Sequence, residues 1–181
     1  ANVREEHLPS RKEFNRAFEE AKKKGILNIP RENVLWFKTG QKGVVFFNTT
    51  RVLGLDGTDA ESLTRAEIEG RRQMLSFLRW VKQVFPGAFQ DAYIARSGPH
   101  IGVRETRRII GEYVLTGEDI LSARKFPDAV CRANYPIDIH NPLGEGTVIK
   151  GPPKGDYYEI PYRCLVPLKV ENLLVTGRCI S

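Results

Sequence analysis

Residues 33–55, NVLWFKTGQKGVVFFNTTRVLGL, decide the class of fold to expect. Two runs rich in β-branched and aromatic residues lie on either side of a turn bounded by Gly40 and Gly43. This pattern predicts two strands joined by a short connection. Residues 64–85 then keep apolar side chains at helical spacing until a Pro-Gly pair, which predicts the longest helix of the chain. Strands and helices are therefore expected together.

Capping residues mark the expected starts of three helices. Ser10 is followed three residues later by Glu13, and Thr64 by Glu67, which is the spacing of a capping box. Thr116 precedes a shorter helical segment and predicts its N-cap.

Further strands are predicted at residues 91–98 and 107–115, and a final strand at 171–177. These elements do not alternate as regular β–α–β units. The expected fold is therefore α+β, with a mostly antiparallel sheet and helices packed on one side.

Size and composition indicate a globular chain without a membrane span. The 181 residues are 41% hydrophobic and 28% charged, which is ordinary for a globular domain with its own core. No apolar run approaches the roughly 18 residues that would indicate a membrane-spanning helix. The first residues contain no apolar stretch typical of a secretory signal, so a cytoplasmic location is expected.

The charge balance favours anionic partners. Lys and Arg number 28 against 22 Asp and Glu, a net charge of +6. A non-enzymatic domain that binds anions or nucleic acid is therefore an alternative to an enzyme. The basic residues are interleaved with apolar positions and form no dense stripe, so nucleic acid is not the expected partner.

The three cysteines predict neither disulfides nor a metal site. Cys131, Cys164 and Cys179 are odd in number, and no two have C-x-x-C spacing. Each is expected to be a small buried hydrophobic residue in a reducing compartment.

Residues 104–108, RETRR, concentrate charge in the strand expected at 107–115 and just before it. Strand alternation would direct some of these side chains inward, where a guanidinium needs a carboxylate or an anionic ligand. The alternatives are an anion site and a structural ion pair, either Arg104–Glu105 or Arg108–Glu112.

Two other segments offer polar candidates. Asp138 and His140 are two residues apart, so on a strand they share a face and the carboxylate could orient the imidazole; a hydrogen-bonded structural histidine is the alternative. Tyr162 is predicted to be an aromatic residue that packs in the fold, and Arg163 could anchor an anion or an acidic neighbour. No nucleophile–base pair supports a hydrolase.

A diphosphate-binding glycine loop is absent from the sequence. Gly144 and Gly146 would need a third glycine at position 149, which is Ile149, and no P-loop is present.

Four ordered blocks carry a resemblance to a known family: residues 102–119, GVRETRRIIGEYVLTGED; residues 135–140, YPIDIH; residues 158–167, YEIPYRCLVP; and residues 172–181, NLLVTGRCIS. Together they resemble the C-terminal half of FAD-dependent oxidoreductases whose FAD domain is a Rossmann-type fold of the glutathione-reductase kind. The likeness is close over about the last eighty residues and looser before them.

The resemblance implies roles for individual residues. It places the FAD-contacting segment at Gly177, Arg178, Cys179, Ile180 and Ser181, where backbone N–H groups would face the flavin. It places Arg104 near the flavin or the substrate, and His140 and Arg163 on the substrate face. All three are the candidate catalytic residues.

The resemblance also implies an incomplete enzyme. Residues 1–170 would form a substrate-domain-like α+β region, and residues 171–181 a strand returning to an FAD-binding portion that these residues lack. The expected partners are that portion and a small-molecule substrate, with no membrane. The chain alone is expected to be inactive and to bind FAD weakly or not at all. Its unpaired last strand is expected either to be disordered or to pair with another copy of the chain.

Overall fold

The computed structural model describes residues 1–141 and 146–181, with the side chain of His140 outside the described part. The chain divides into two compact units. The N-terminal unit comprises Ala1–Gly102 and, of Pro142–Gly146, the described residue Gly146. The C-terminal unit comprises Val103–Asn141 and Thr147–Ser181. Among the described residues no helix is both long and apolar enough to cross a membrane.

The described elements follow one another as four α-helices, six strands and three short 3-10 helices. The α-helices are α1 Arg11–Lys23, α2 Ala60–Val84, α3 Pro86–Phe89 and α4 Gly117–Leu121. The strands are β1 Leu35–Lys38, β2 Val45–Asn48, β3 Ala129–Ala133, β4 Ile137–His140, β5 Thr147–Lys150 and β6 Tyr158–Pro161. The 3-10 helices are Glu5–His7, Tyr162–Leu165 and Gly177–Cys179.

Helix α1 confirms the capping box predicted from the sequence. The Ser10 hydroxyl accepts a hydrogen bond from the Glu13 amide, and the Glu13 carboxylate accepts one from the Ser10 amide. The helix buries Phe14, Phe18 and Ala21 along one face. This face enters the aromatic core of the N-terminal unit.

Helix α2 begins earlier than the sequence predicted. Asp59 is the N-cap, and its side chain accepts a hydrogen bond from the Ser62 amide. The predicted cap at Thr64 is wrong, because its hydroxyl donates to the Ala60 carbonyl within the first turns of the helix. Glu67 instead accepts a hydrogen bond from the Ile101 amide at 2.7 Å.

The α+β class is confirmed, and every strand pairing among the described residues is antiparallel. The strands do not join one sheet, however. They form three two-stranded sheets, β1–β2 in the N-terminal unit and β3–β6 and β4–β5 in the C-terminal unit.

Three predicted strands are wrong. Residues 91–98 form no strand, residues 107–115 form only an isolated bridge between Gly111 and Pro167, and residues 171–177 lead without a ladder into the 3-10 helix Gly177–Cys179. The Val175 amide still donates to Leu165, so these apolar runs are held by scattered backbone bonds. Self-association through a strand edge at 171–177 stays a prediction.

Candidate functional site

The end of the segment expected to contact FAD docks into the C-terminal unit. The Ile109 amide donates to the Cys179 carbonyl at 2.9 Å, and the Leu115 amide to the Ser181 carbonyl at 3.4 Å. The Ser181 amide donates to the Cys164 carbonyl at 3.1 Å, and Ser181 is buried. Because these partners come from distant parts of the sequence, the position of residues 179–181 is fixed by tertiary contacts.

Gly111 lies where this docking is tightest. A Cβ atom at position 111 would stand 2.8 Å from Ser181 Cβ, 3.1 Å from the Arg163 carbonyl and 3.2 Å from the Val166 carbonyl. Real Cβ atoms do not approach another carbon this closely. Only glycine therefore allows Ser181 and the chain at 163–166 to pack together here.

The residues before Ser181 are open to approach from outside. Gly177 has a φ of +79°, and no atom lies within 4 Å of the place where its side chain would be. Arg178 and Cys179 are exposed, and Arg178 Nη1 donates to the Val103 carbonyl at 2.8 Å. An exposed backbone beside a held guanidinium fits contact with one edge of a planar, partly anionic ring.

The same residues do not fit the diphosphate of a dinucleotide. That group needs several backbone N–H groups at a glycine-rich turn between a parallel strand and a helix. The 3-10 helix Gly177–Cys179 has only three residues, and its Ile180 cap amide donates back to the Gly177 carbonyl. The segment therefore fits the ring edge of FAD and not its diphosphate.

Arg163 is occupied by an acidic neighbour, one of the two roles that the sequence allowed. Its Nε and Nη2 atoms donate to the two carboxylate oxygens of Asp128 at 2.9 and 3.2 Å. This hydrogen bonding lowers the pKa of Asp128 and raises that of Arg163. The guanidinium also lies 5.1 Å from the centre of the Tyr113 ring. Arg163 thus braces the chain that packs on Gly111.

A buried carboxylate, Asp119, was not among the predicted site residues. It accepts hydrogen bonds from the Thr116 amide and hydroxyl, from the Tyr113 hydroxyl at 2.9 Å and from Arg124 at 2.9 Å. Burial alone would raise the pKa of Asp119, but these donors outweigh it and lower the pKa to about 2. The capping role of Thr116 is confirmed, and its spacing to Asp119 was the sequence signal for this network.

Burial raises the pKa of the Tyr113 hydroxyl, and its hydrogen bond to Asp119 adds to that effect. Tyr113 therefore stays a neutral hydrogen-bond donor. The network holds a permanent negative charge on Asp119 against the Arg124 cation.

The charged segment at 104–108 does not turn inward as predicted. All five of these residues are exposed. The predicted partners are also wrong, because Arg108 pairs with Glu105 at 2.8 Å. The side chain of Arg104 forms no hydrogen bond or ion pair within residues 1–141 and 146–181. An exposed guanidinium of this kind remains free to meet a ligand.

Asp138 and His140 occupy alternate positions of β4, opposite Ile149 and Thr147 of β5. The strand that the sequence allowed at these two positions is therefore present. The side chain of His140 lies outside the described residues, so its pairing with Asp138 and its catalytic role stay predictions.

The cysteines differ in burial, against the expectation that all three are buried. Cys164 is fully buried, and burial raises the pKa of its thiol. Cys131 and Cys179 are exposed, and all three are free thiols. Cys131 lies on a two-stranded sheet and Cys179 in a surface turn, neither of which provides an enclosing layer.

The comparisons with known proteins define the class as a flavin-dependent enzyme. The family model described as FAD dependent oxidoreductase matches residues 1–181, and the chain therefore belongs to this family, which uses FAD. No curated protein and no solved structure is significantly similar to the chain.

Proposed function

We propose that the chain forms the substrate side of an FAD-dependent oxidoreductase whose FAD-binding fold is of the Rossmann-type, glutathione-reductase kind. The observation that carries this proposal is the family match over the whole chain, together with the exposed residues 177–179, which the buried Ser181 anchors to the C-terminal unit. When bound, FAD supplies the acceptor or donor of the electron pair. The residues of the chain bind and orient the substrate beside it.

Most of the FAD is held by residues other than these 181. A dinucleotide-binding fold is built from parallel β–α–β units, whereas the described strands pair only in antiparallel fashion. Residues 1–170 accordingly form the substrate region, and residues 171–181 lead to the FAD-binding portion. The isolated chain is inactive because it cannot hold the cofactor against a substrate.

The site residues take different parts in this scheme. The exposed residues Gly177, Arg178 and Cys179 contact the ring edge of the flavin, with Arg178 as the cation, while the buried Ser181 holds the segment in place. Arg104 meets an anionic group of the flavin or substrate, and His140 contributes the titratable imidazole of the substrate face. Arg163 acts through the chain around Gly111, because its guanidinium is already bound to Asp128.

Titration of FAD into the chain tests the proposal. Flavin fluorescence should change linearly with concentration through the micromolar range, with no saturation, since the diphosphate has no binding turn here. The control is the urea-unfolded chain at the same concentration, which corrects for absorbance and non-specific quenching. Saturable binding at micromolar FAD would show that the chain holds the cofactor alone. The proposal that other residues hold most of the FAD would then be wrong.

A further inference from the structure

The C-terminal unit has an open groove with a volume of about 780 Å³. Its walls include the apolar side chains Leu168, Leu173 and Leu174, all of which are exposed. The volume lies within the range of small-molecule sites, which extends to about 1,000 Å³. An apolar patch of this kind on a protein surface commonly marks a place where something binds.

The charged groups that line the groove are both carboxylates. Glu112 and Glu171 line it together with the Tyr162 ring. Neither glutamate forms a hydrogen bond or ion pair through its side chain within the described ranges 1–141 and 146–181. The pKa of Arg163 is raised mainly by its hydrogen bonds to Asp128 and also by the charge of Glu112, so this cation acts on Glu112 as well. The groove therefore combines an apolar wall with two carboxylates that have no ion-pair partner in the described part of the chain, and Lys169, between the wall residues Leu168 and Val170, does not line it.

We propose that this groove binds an organic cation, an ammonium group carried on an apolar body. The apolar part covers the leucines, an aromatic or alkyl face packs on Tyr162, and the ammonium lies between the two carboxylates. Charge complementarity selects this ligand over a carboxylate or a phosphate, which both glutamates would repel.

The groove adjoins the segment proposed to meet the flavin. Glu112 directly follows Gly111, on which Ser181 packs, and its amide donates to the Val166 carbonyl of the groove wall at 3.0 Å. The further statement that the cation is the substrate rests on the proposed function. Binding of the cation does not require FAD, so the binding proposal and the proposed function can be tested separately.

Three probes of equal length separate the charge from the apolar body: hexylammonium, hexanol and hexanoate. Each is titrated into the full chain at neutral pH and followed by two-dimensional NMR, with resonances of Glu112, Tyr162 and Leu173 as reporters. We expect hexylammonium to bind about five-fold more tightly than hexanol, and hexanoate more weakly than both. Added salt should narrow the difference between ammonium and alcohol.

Charge-neutral variants locate the cation. Glu112→Gln and Glu171→Gln should each weaken hexylammonium about two- to three-fold and leave hexanol unchanged. Glu118→Gln, an exposed glutamate on α4 that does not line the groove, is the matched control and should alter neither ligand. If hexanoate binds as well as hexylammonium, or no probe shifts the groove resonances, the proposal is wrong. FAD binding by the same sample would contradict the proposed function but not the proposal that the groove binds an organic cation.

Discussion

The two units bury different kinds of side chain. In the N-terminal unit Phe14 is fully buried, and five aromatic rings lie with their centres 5.0 to 6.2 Å from its own: Phe47, Phe77, Trp80, Phe85 and Phe89. In the C-terminal unit the buried residues include the carboxylates Asp119 and Glu159, and much of the chain is joined by backbone bonds between irregular segments. One unit is held mainly by apolar contact and the other by directed polar bonds.

This difference predicts which condition should weaken each unit. Apolar burial does not depend on protonation, so the aromatic cluster should be insensitive to mild acid. Carboxylates held below their ordinary pKa lose their stabilising effect when they are protonated. Acid should therefore unfold the C-terminal unit before the N-terminal one, in which carboxyl groups with a lowered pKa, such as Glu13 and Glu19, are exposed.

The largest expected effect is in the aromatic cluster. Replacing Phe14 with Ala should lower the free energy of unfolding of the N-terminal unit by about 3–5 kcal/mol, because it leaves a cavity among five rings. Urea unfolding followed by fluorescence measures this unit alone, since both tryptophans, Trp36 and Trp80, lie in it.

The control for this substitution is Phe46→Ala, at a ring that is 56% exposed, and it should cost far less. Labelling of the buried thiol of Cys164 reports the C-terminal unit in the same samples. If Phe14→Ala exposes Cys164 at the same urea concentration as the tryptophans, the units unfold as one and the comparison fails.

The next effect is acid unfolding through Asp119. Its pKa is about 2 in the folded chain against an ordinary value of 3.8. Because the folded value is the lower one, the stabilisation is complete above pH 4 and is lost between about pH 4 and pH 2. The shift corresponds to about 2 kcal/mol. Dithiodipyridine, which reacts with thiols in acid, would follow Cys164 exposure in a chain lacking the other two thiols.

The variant Asp119→Asn tests whether protonation of Asp119 causes the acid unfolding. The amide keeps the shape of the carboxylate but has no proton to gain, so the variant should be less stable at neutral pH and show a flatter acid profile. Glu118→Gln, at the exposed neighbouring position, should leave the profile unchanged. An equally steep profile in Asp119→Asn would mean that another group controls acid unfolding.

The smallest expected effect is at Gly111. Gly111→Ala should destabilise the C-terminal unit by about 1–2 kcal/mol, because the new methyl group meets Ser181 and two carbonyl oxygens. Hydrogen exchange at the Ile109 and Ser181 amides should accelerate in this variant. Adding Ser181→Gly removes the closest contact and should restore part of the protection.

Gly102→Ala is the control for that substitution, since nothing lies within 4 Å of its Cβ position. It should change exchange at neither amide. Unchanged protection in Gly111→Ala would show that residues 179–181 are not held by this packing.

Local signals in the sequence predicted the parts of the fold that depend on neighbours in the chain. The caps at Ser10 and Thr116 and the hairpin around residues 40–43 require only residues a few positions apart, and all are confirmed. The sequence misplaced the start of α2 because Asp59 and Thr64 are both acceptable N-caps. In the structure Asp59 caps the helix, and this earlier start includes the buried residue Ser62.

The candidate site depends on contacts that no local pattern contains. Arg163 is bound by Asp128, 35 residues away, and Ser181 by Cys164 and Gly111. An apolar run such as Leu173–Val175 resembles a strand whether or not a partner strand exists, and within residues 1–141 and 146–181 no strand pairs with it. The roles of Arg104, His140 and the Gly177–Ser181 segment come from the family likeness and remain predictions.

The close approach at Gly111 has a consequence for how this family can vary. A side chain at position 111 is tolerated only if the residue at the position of Ser181 shrinks and the chain at 163–166 moves outward. These positions should therefore change together among relatives, and a lineage that gains bulk at one should show compensating substitutions at the others.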